Sequence, residues 1–90
     1  MIRKHVYFEG KVQGVFFRAN TREKAVKEEV TGWVRNLRGG RVEAVFEGSQ
    51  EKVDEVIRWC KHDQPRAGVT DADIEEEEYT GEYEGFEIRR

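Results

Sequence analysis

The chain has 90 residues, 39% of them charged, with 16 Lys and Arg against 19 Asp and Glu and a formal net charge of −3. At this length one domain with one core is expected, over residues 1–90, and a second domain is excluded. One cysteine, Cys60, rules out an internal disulfide framework and suits a reducing, cytoplasmic location. No apolar run approaches the roughly 18 residues of a membrane span, and Glu9 stops the apolar stretch Val6-Tyr7-Phe8, so Met1 to Gly10 does not read as a signal peptide.

Residues 1–45 hold ten basic and five acidic groups, whereas residues 46–90 hold six basic and fourteen acidic ones. The first half is therefore the place to look for an anion site. High charge with two Asn, three Gln, one Met and one Cys fits a heat-adapted source; ordinary scatter in a short chain would also produce it.

Residues 2–8 alternate, with Val6 and Phe8 on one face and His5 and Tyr7 on the other, which predicts a strand. Gly10-Lys11-Val12-Gln13-Gly14 breaks the period and predicts a loop. A helix follows from about Arg18 or Ala19 to Glu29, with Phe17, Thr21 and Ala25 inward and a stop near Gly32. Trp33–Leu37 and Arg41–Glu47 flank Arg38-Gly39-Gly40 as a hairpin. In its second strand Val42, Ala44 and Phe46 alternate with Glu43, Val45 and Glu47, as in a sheet with one covered face. Ser49 caps a second helix with Val53, Val56, Ile57 and Cys60 on one stripe. Pro65 and Gly68 mark a loop, a strand runs from Ala72 to about Tyr79, and Phe86 with Ile88 forms a short last strand.

The order β-α-β-β-α-β plus a short strand predicts an α+β, ferredoxin-like split βαβ sandwich with both helices on one sheet face. That fold by itself decides no function.

Gly10 to Arg18 lies between a strand end and a helix start, where backbone amides lack partners. Such a loop can close around an anion, helped by the helix N-terminus, and Arg18 can offer a planar fork to phosphate oxygens. The same residues would also serve a plain strand-to-helix turn with a solvated arginine. The loop carries neither a Walker A nor a dinucleotide pattern, and no Ser, Thr or Cys nucleophile. Cys60 reads as a buried, inert thiol. His5 and His62 belong to no metal-ligand spacing, and no acidic pair has an evident acid/base partner. The run Glu75 to Glu78 reads as a solvated strand that discourages edge pairing. Hydrolysis here would use water directly, oriented by a neutral polar group. Asn36 suits that role, being poor in strands by propensity and one of two Asn in the chain; it would equally suit the adjacent turn.

The stretch Gly10-Lys11-Val12-Gln13-Gly14-Val15-Phe16-Phe17-Arg18 resembles the first signature of the acylphosphatase family. Gly32-Trp33-Val34-Arg35-Asn36, followed by Gly40-x-Val42 and Gly48, resembles the second, and Tyr83-x-x-Phe86-x-Ile88 resembles the family's closing segment. The resemblance covers the whole chain, with Glu28 standing where the family commonly has an apolar residue. It implies a ferredoxin-like sandwich that hydrolyses acyl phosphates without metal or cofactor. By resemblance, the amides of Gln13, Gly14, Val15, Phe16, Phe17 and Arg18 and the Arg18 guanidinium hold the phosphoryl group, and Asn36 orients water. The implied partners are a small acyl phosphate and inorganic phosphate as product and inhibitor; a monomer binding neither membrane nor nucleic acid is expected. The alternative is a non-catalytic module of this fold that reads phosphate or an RNA backbone through its basic half.

Overall fold

In the computed structural model, which describes residues 1–90, the alternating N-terminal residues form β1 (Ile2–Lys11). The strand runs three residues past the expected end, because a register shift at Glu9/Gly10 lets Gly10 and Lys11 pair with Val69 and Gly68. Next come α1 (Phe17–Lys27), β2 (Thr31–Asn36), β3 (Val42–Gly48), α2 (Gln50–His62), β4 (Gly68–Glu77) and β5 (Phe86–Arg89). The sheet order is β4-β1-β3-β2-β5. All pairs are antiparallel except β2 with β5. Because β3 separates β1 from β2, and β1 separates β3 from β4, both βαβ units are split, and the α+β ferredoxin-like expectation holds.

Both helices cover one sheet face. Val6 and Phe8 of β1, Phe17 and Ala25 of α1, Val34 of β2, Ala44 and Phe46 of β3, and the stripe Val53, Val56, Ile57 and Cys60 of α2 share one buried cluster. The Phe8 and Phe17 ring centroids lie 5.2 Å apart, fixing the start of α1 against β1. Burying such a side chain stabilises the fold by about 1.5–3 kcal/mol. Ser49 caps α2 by accepting the Lys52 amide at 3.4 Å.

Several local expectations are corrected. Gly32 does not stop α1. The helix ends on Glu29 in the left-handed region (φ 60°), with the Val30 amide donating to Ala25 O at 2.8 Å. Gly32 instead lies inside β2 at φ 136°, where a Cβ would sit 1.8 Å from Val45 O. Glu28 caps the helix and pairs with Lys24 at 3.1 Å, so its charge is met without disturbing the apolar face. β4 begins at Gly68, in the expected loop, and ends at Glu77 rather than Tyr79.

The face of β3 away from the helices is covered as well. Glu43 and Glu47 are 5% and 1% exposed. Glu43 accepts from His5 Nε2 at 2.6 Å, Arg35 Nε at 2.7 Å and the Tyr7 hydroxyl at 3.1 Å. Glu77, from the run expected to be solvated, accepts from Arg3 Nε and meets His5 Nδ1, both at 2.9 Å. Arg35 and Arg89 stack over Trp33, at 5.3 and 4.9 Å from its centroid, and Arg41 covers Tyr7 at 4.9 Å. These cations and aromatics roof the acids on the open face.

Candidate active site

A cavity of about 320 Å³ opens on the helix side of the sheet, lined by Val12, Gly14, Phe16, Phe17, Arg18, Ala19, Asn36 and Ile88. It lies where the β1–α1 loop, the end of β2 and β5 converge. Gly14 stands at φ 74°, which a side chain would strain, and a Cβ there would meet nothing within 4 Å. Phe16 follows at φ 60° as the N-terminal flank of α1, with no side-chain cap.

This turn leaves donors without acceptors. No backbone carbonyl accepts from the amides of Gln13, Gly14, Val15 or Phe16. The first-turn amides of Phe17, Arg18 and Ala19 have no intrahelical acceptor by the geometry of a helix start. The first turn holds no acidic side chain to offset the positive end of the helix dipole. Arg18, half-buried in the wall, has no carboxylate within ion-pair distance, whereas Arg3, Arg35 and Arg58 each hold one. On the β2 side, Asn36 Oδ1 is buried and has no hydrogen-bond partner. Donors and a positive charge thus share one small space with an acceptor whose lone pairs are unused. That arrangement suits a tetrahedral oxyanion and a water molecule.

Of the loop residues expected at the site, Gly14, Phe16, Phe17 and Arg18 line the cavity with Asn36. Gln13 and Val15 do not. The Gln13 side chain turns away and donates through Nε2 to Leu37 O and Arg41 O, both at 2.9 Å, tying the loop to the base of the β2–β3 hairpin beside Asn36. Val15 is 7% exposed and packs into the core. Val12, Ala19 and Ile88 are wall residues that sequence reasoning did not assign; for Ile88 the closing Tyr-x-x-Phe-x-Ile segment was the available signal.

The remaining reactive groups lie elsewhere. Cys60 is buried beside Thr21, Oγ1 to Sγ 3.4 Å, and burial pushes its thiol up to about 11. His5, with Glu43 and Glu77 on its two ring nitrogens, stands on the opposite sheet face. His62 is exposed at the end of α2.

A split βαβ sandwich whose first loop turns unbonded amides and an unpaired arginine toward a buried amide oxygen is a small α+β protein built to take a phosphoryl-sized anion. The acylphosphatase family model matches residues 4–88. An acylphosphatase of Syntrophus aciditrophicus is 56% identical over 88 residues, 98% of this chain and 92% of that protein. The crystal structure of acylphosphatase from Bacillus subtilis superposes with a TM-score of 0.94 at 31% identity, covering 100% of both chains. An acylphosphatase structure from Coxiella burnetii gives 0.90 at 39% identity, over 98% of this chain and 92% of that one. The chain belongs to the acylphosphatase family.

Proposed function

We propose that this chain is an acylphosphatase that hydrolyses the carboxyl-phosphate anhydride of acyl phosphates, with Arg18 and Asn36 as its catalytic residues. The observation that carries the assignment of residues is that unpaired Arg18 and the orphaned Oδ1 of Asn36 line the same cavity. The loop amides at the cavity wall, those of Gly14, Phe16, Phe17 and Arg18, hold the three peripheral phosphoryl oxygens together with the Arg18 guanidinium. Phosphoryl transfer spreads charge over those oxygens, so fixed donors there stabilise the transition state. Asn36 Oδ1 accepts a hydrogen bond from one water and aims its oxygen at phosphorus.

The water oxygen forms the new bond to phosphorus as the bond to the acyl oxygen breaks. That oxygen keeps the electron pair and leaves as a carboxylate, stable enough to need no general acid. The water proton passes to a phosphoryl oxygen, which accounts for the lack of a titratable base in the wall. Neither a metal nor a cofactor takes part. The free thiol of Cys60 suits a reducing compartment, and a core completed within one chain supports a monomer working in the cytoplasm.

The test is phosphate release from acetyl phosphate in the presence of a chelator, with inorganic phosphate as a competitive inhibitor. Absence of turnover overturns the proposal, and turnover that requires a divalent cation overturns its metal-free form.

A further inference from the structure

Two of the exposed large apolar side chains of this protein, Phe16 and Ile88, stand in the wall of the cavity that holds Arg18 and Asn36, and the function proposed above gives them no role. They come from opposite ends of the chain. Phe16 is 67% exposed and Ile88 42% exposed. Three non-glycine residues adopt a left-handed backbone, and two of them, Phe16 (φ 60°) and Arg66 (φ 65°), meet: the Arg66 guanidinium lies 5.7 Å from the Phe16 ring centroid. The turn that frees the loop amides therefore also drives the Phe16 ring outward, and Arg66 stacks on it with no acidic partner of its own.

With a phosphoryl group on the loop amides, the acyl carbon must lie outside them, at the cavity mouth. Apart from Arg18, which the phosphoryl group occupies, no charged side chain lines the wall, and none supplies a fixed polar partner for an acyl substituent. We infer that Phe16 and Ile88 form an acyl subsite for flat, apolar acyl groups, with Arg66 holding the Phe16 ring as a fixed wall. This rests on the proposed acyl phosphate hydrolysis and adds the substrate class. Contact with an aromatic ring is gained by the acyl group and lost by acetyl, whose single methyl reaches too little of either side chain.

The experiment measures kcat/KM for benzoyl phosphate and acetyl phosphate in the native chain and in Phe16→Ala, Ile88→Ala and Val26→Ala. Val26, exposed on α1 away from the cavity, serves as the control. The native ratio should favour benzoyl phosphate, and Phe16→Ala and Ile88→Ala should each lower it by roughly fivefold to tenfold, the scale of one lost apolar contact. The loss should fall mainly on KM for benzoyl phosphate, and Val26→Ala should keep the native ratio. Each ratio compares two substrates on one variant, so a general loss of activity cancels; Ile88→Ala carries the test if Phe16→Ala fails to fold. Turnover of both substrates with one ratio in all four proteins overturns the subsite while leaving the hydrolase intact. No turnover of either overturns both. Preference for succinyl phosphate over benzoyl phosphate, abolished by Arg66→Ala, also overturns it, since the mouth would then read charge.

Discussion

Glu47 and Thr80, 33 residues apart, meet through two hydrogen bonds: the Thr80 amide and hydroxyl both donate to Glu47 Oε2 at 3.0 Å. The Gly81 amide donates to the other carboxylate oxygen at 3.2 Å, and Arg3 closes the set at 3.2 Å. A buried carboxylate thus holds the connection from β4 to β5. Glu47→Ala would leave the Thr80 and Gly81 amides without their acceptor while Arg3 keeps Glu77, a change that typically costs about 1–3 kcal/mol. Urea unfolding should show this as a lower midpoint. Since β5 carries Ile88, loss of the Glu47 carboxylate should also loosen that wall of the cavity. A variant of native stability would mean that solvent replaces the carboxylate freely.

The acid cluster on the open sheet face gives stability two pH limits. Burial pushes Glu43 and Glu47 up, but bonds from His5, Arg35 and Tyr7 to the first, and from Thr80, Arg3 and Gly81 to the second, outweigh it and leave both below 4.5. Bonds from Arg3 and His5 lower Glu77. Carboxylates depressed in the folded state contribute fully above pH 4.5, and the contribution is lost as pH falls through their folded values. His5 behaves oppositely. Burial pushes it down, yet hydrogen bonds to Glu77 and Glu43 together raise it above 6.5, so its contribution is complete below 6.5 and is lost as pH rises through the folded value. Where these four groups set it, stability is greatest between pH 4.5 and 6.5. Unfolding over a pH series should show an alkaline decline that His5→Gln removes; a decline that persists in the variant would clear His5 of the effect.

How much of this was legible in the sequence depended on how local the cause was. The hairpin around Gly39 and Gly40 and the stripe from Val53 to Cys60 follow from periods of two and 3.6 within short windows. Glu43 and Glu47 alternate like solvated residues, and their burial comes from Arg3, His5 and Thr80, whose approach depends on strand order. Gly68 reads as a loop residue because Pro65 precedes it, yet it pairs with Lys11 beyond the extra residue, Thr70, in β4. At the site, Arg18 and the glycines stood out by type and Asn36 by its scarcity. Ile88 reaches the cavity only because β5 pairs parallel with β2. The anchoring of Gln13 to the hairpin carbonyls had no pattern to announce it.

Arg18→Gln and Asn36→Ala each remove one oriented group from the cavity while leaving the core untouched. Each should lower kcat on acetyl phosphate by about 10²-fold or more, the scale of deleting one preorganised donor. Circular dichroism should remain native in both. Retained turnover in either variant would remove that residue from the mechanism.

Gln13→Leu tests whether the tie from loop to hairpin matters beyond packing. Two hydrogen bonds to Leu37 O and Arg41 O would be lost, at about 1–2 kcal/mol of stability in total. If the tie sets the spacing of the loop amides from Asn36, kcat/KM should fall roughly tenfold or more, because small misplacements of reacting groups are costly. A stability loss with unchanged kcat/KM would limit Gln13 to holding the loop.

The strand order has a further consequence, for how the protein is made rather than how it works. β1 sits between β3 and β4, so the first strand of the chain finds one of its neighbours only when residues 68–77 arrive, and the cavity brings Gly14 together with Ile88. Each of these meetings closes a long loop before any contact rewards it, which places such topologies among the slower small folders. The β2–β3 hairpin and α2 can form early from neighbouring residues. The cavity wall is complete only once β5 docks and brings in Ile88, so during refolding turnover should return after the helical signal does.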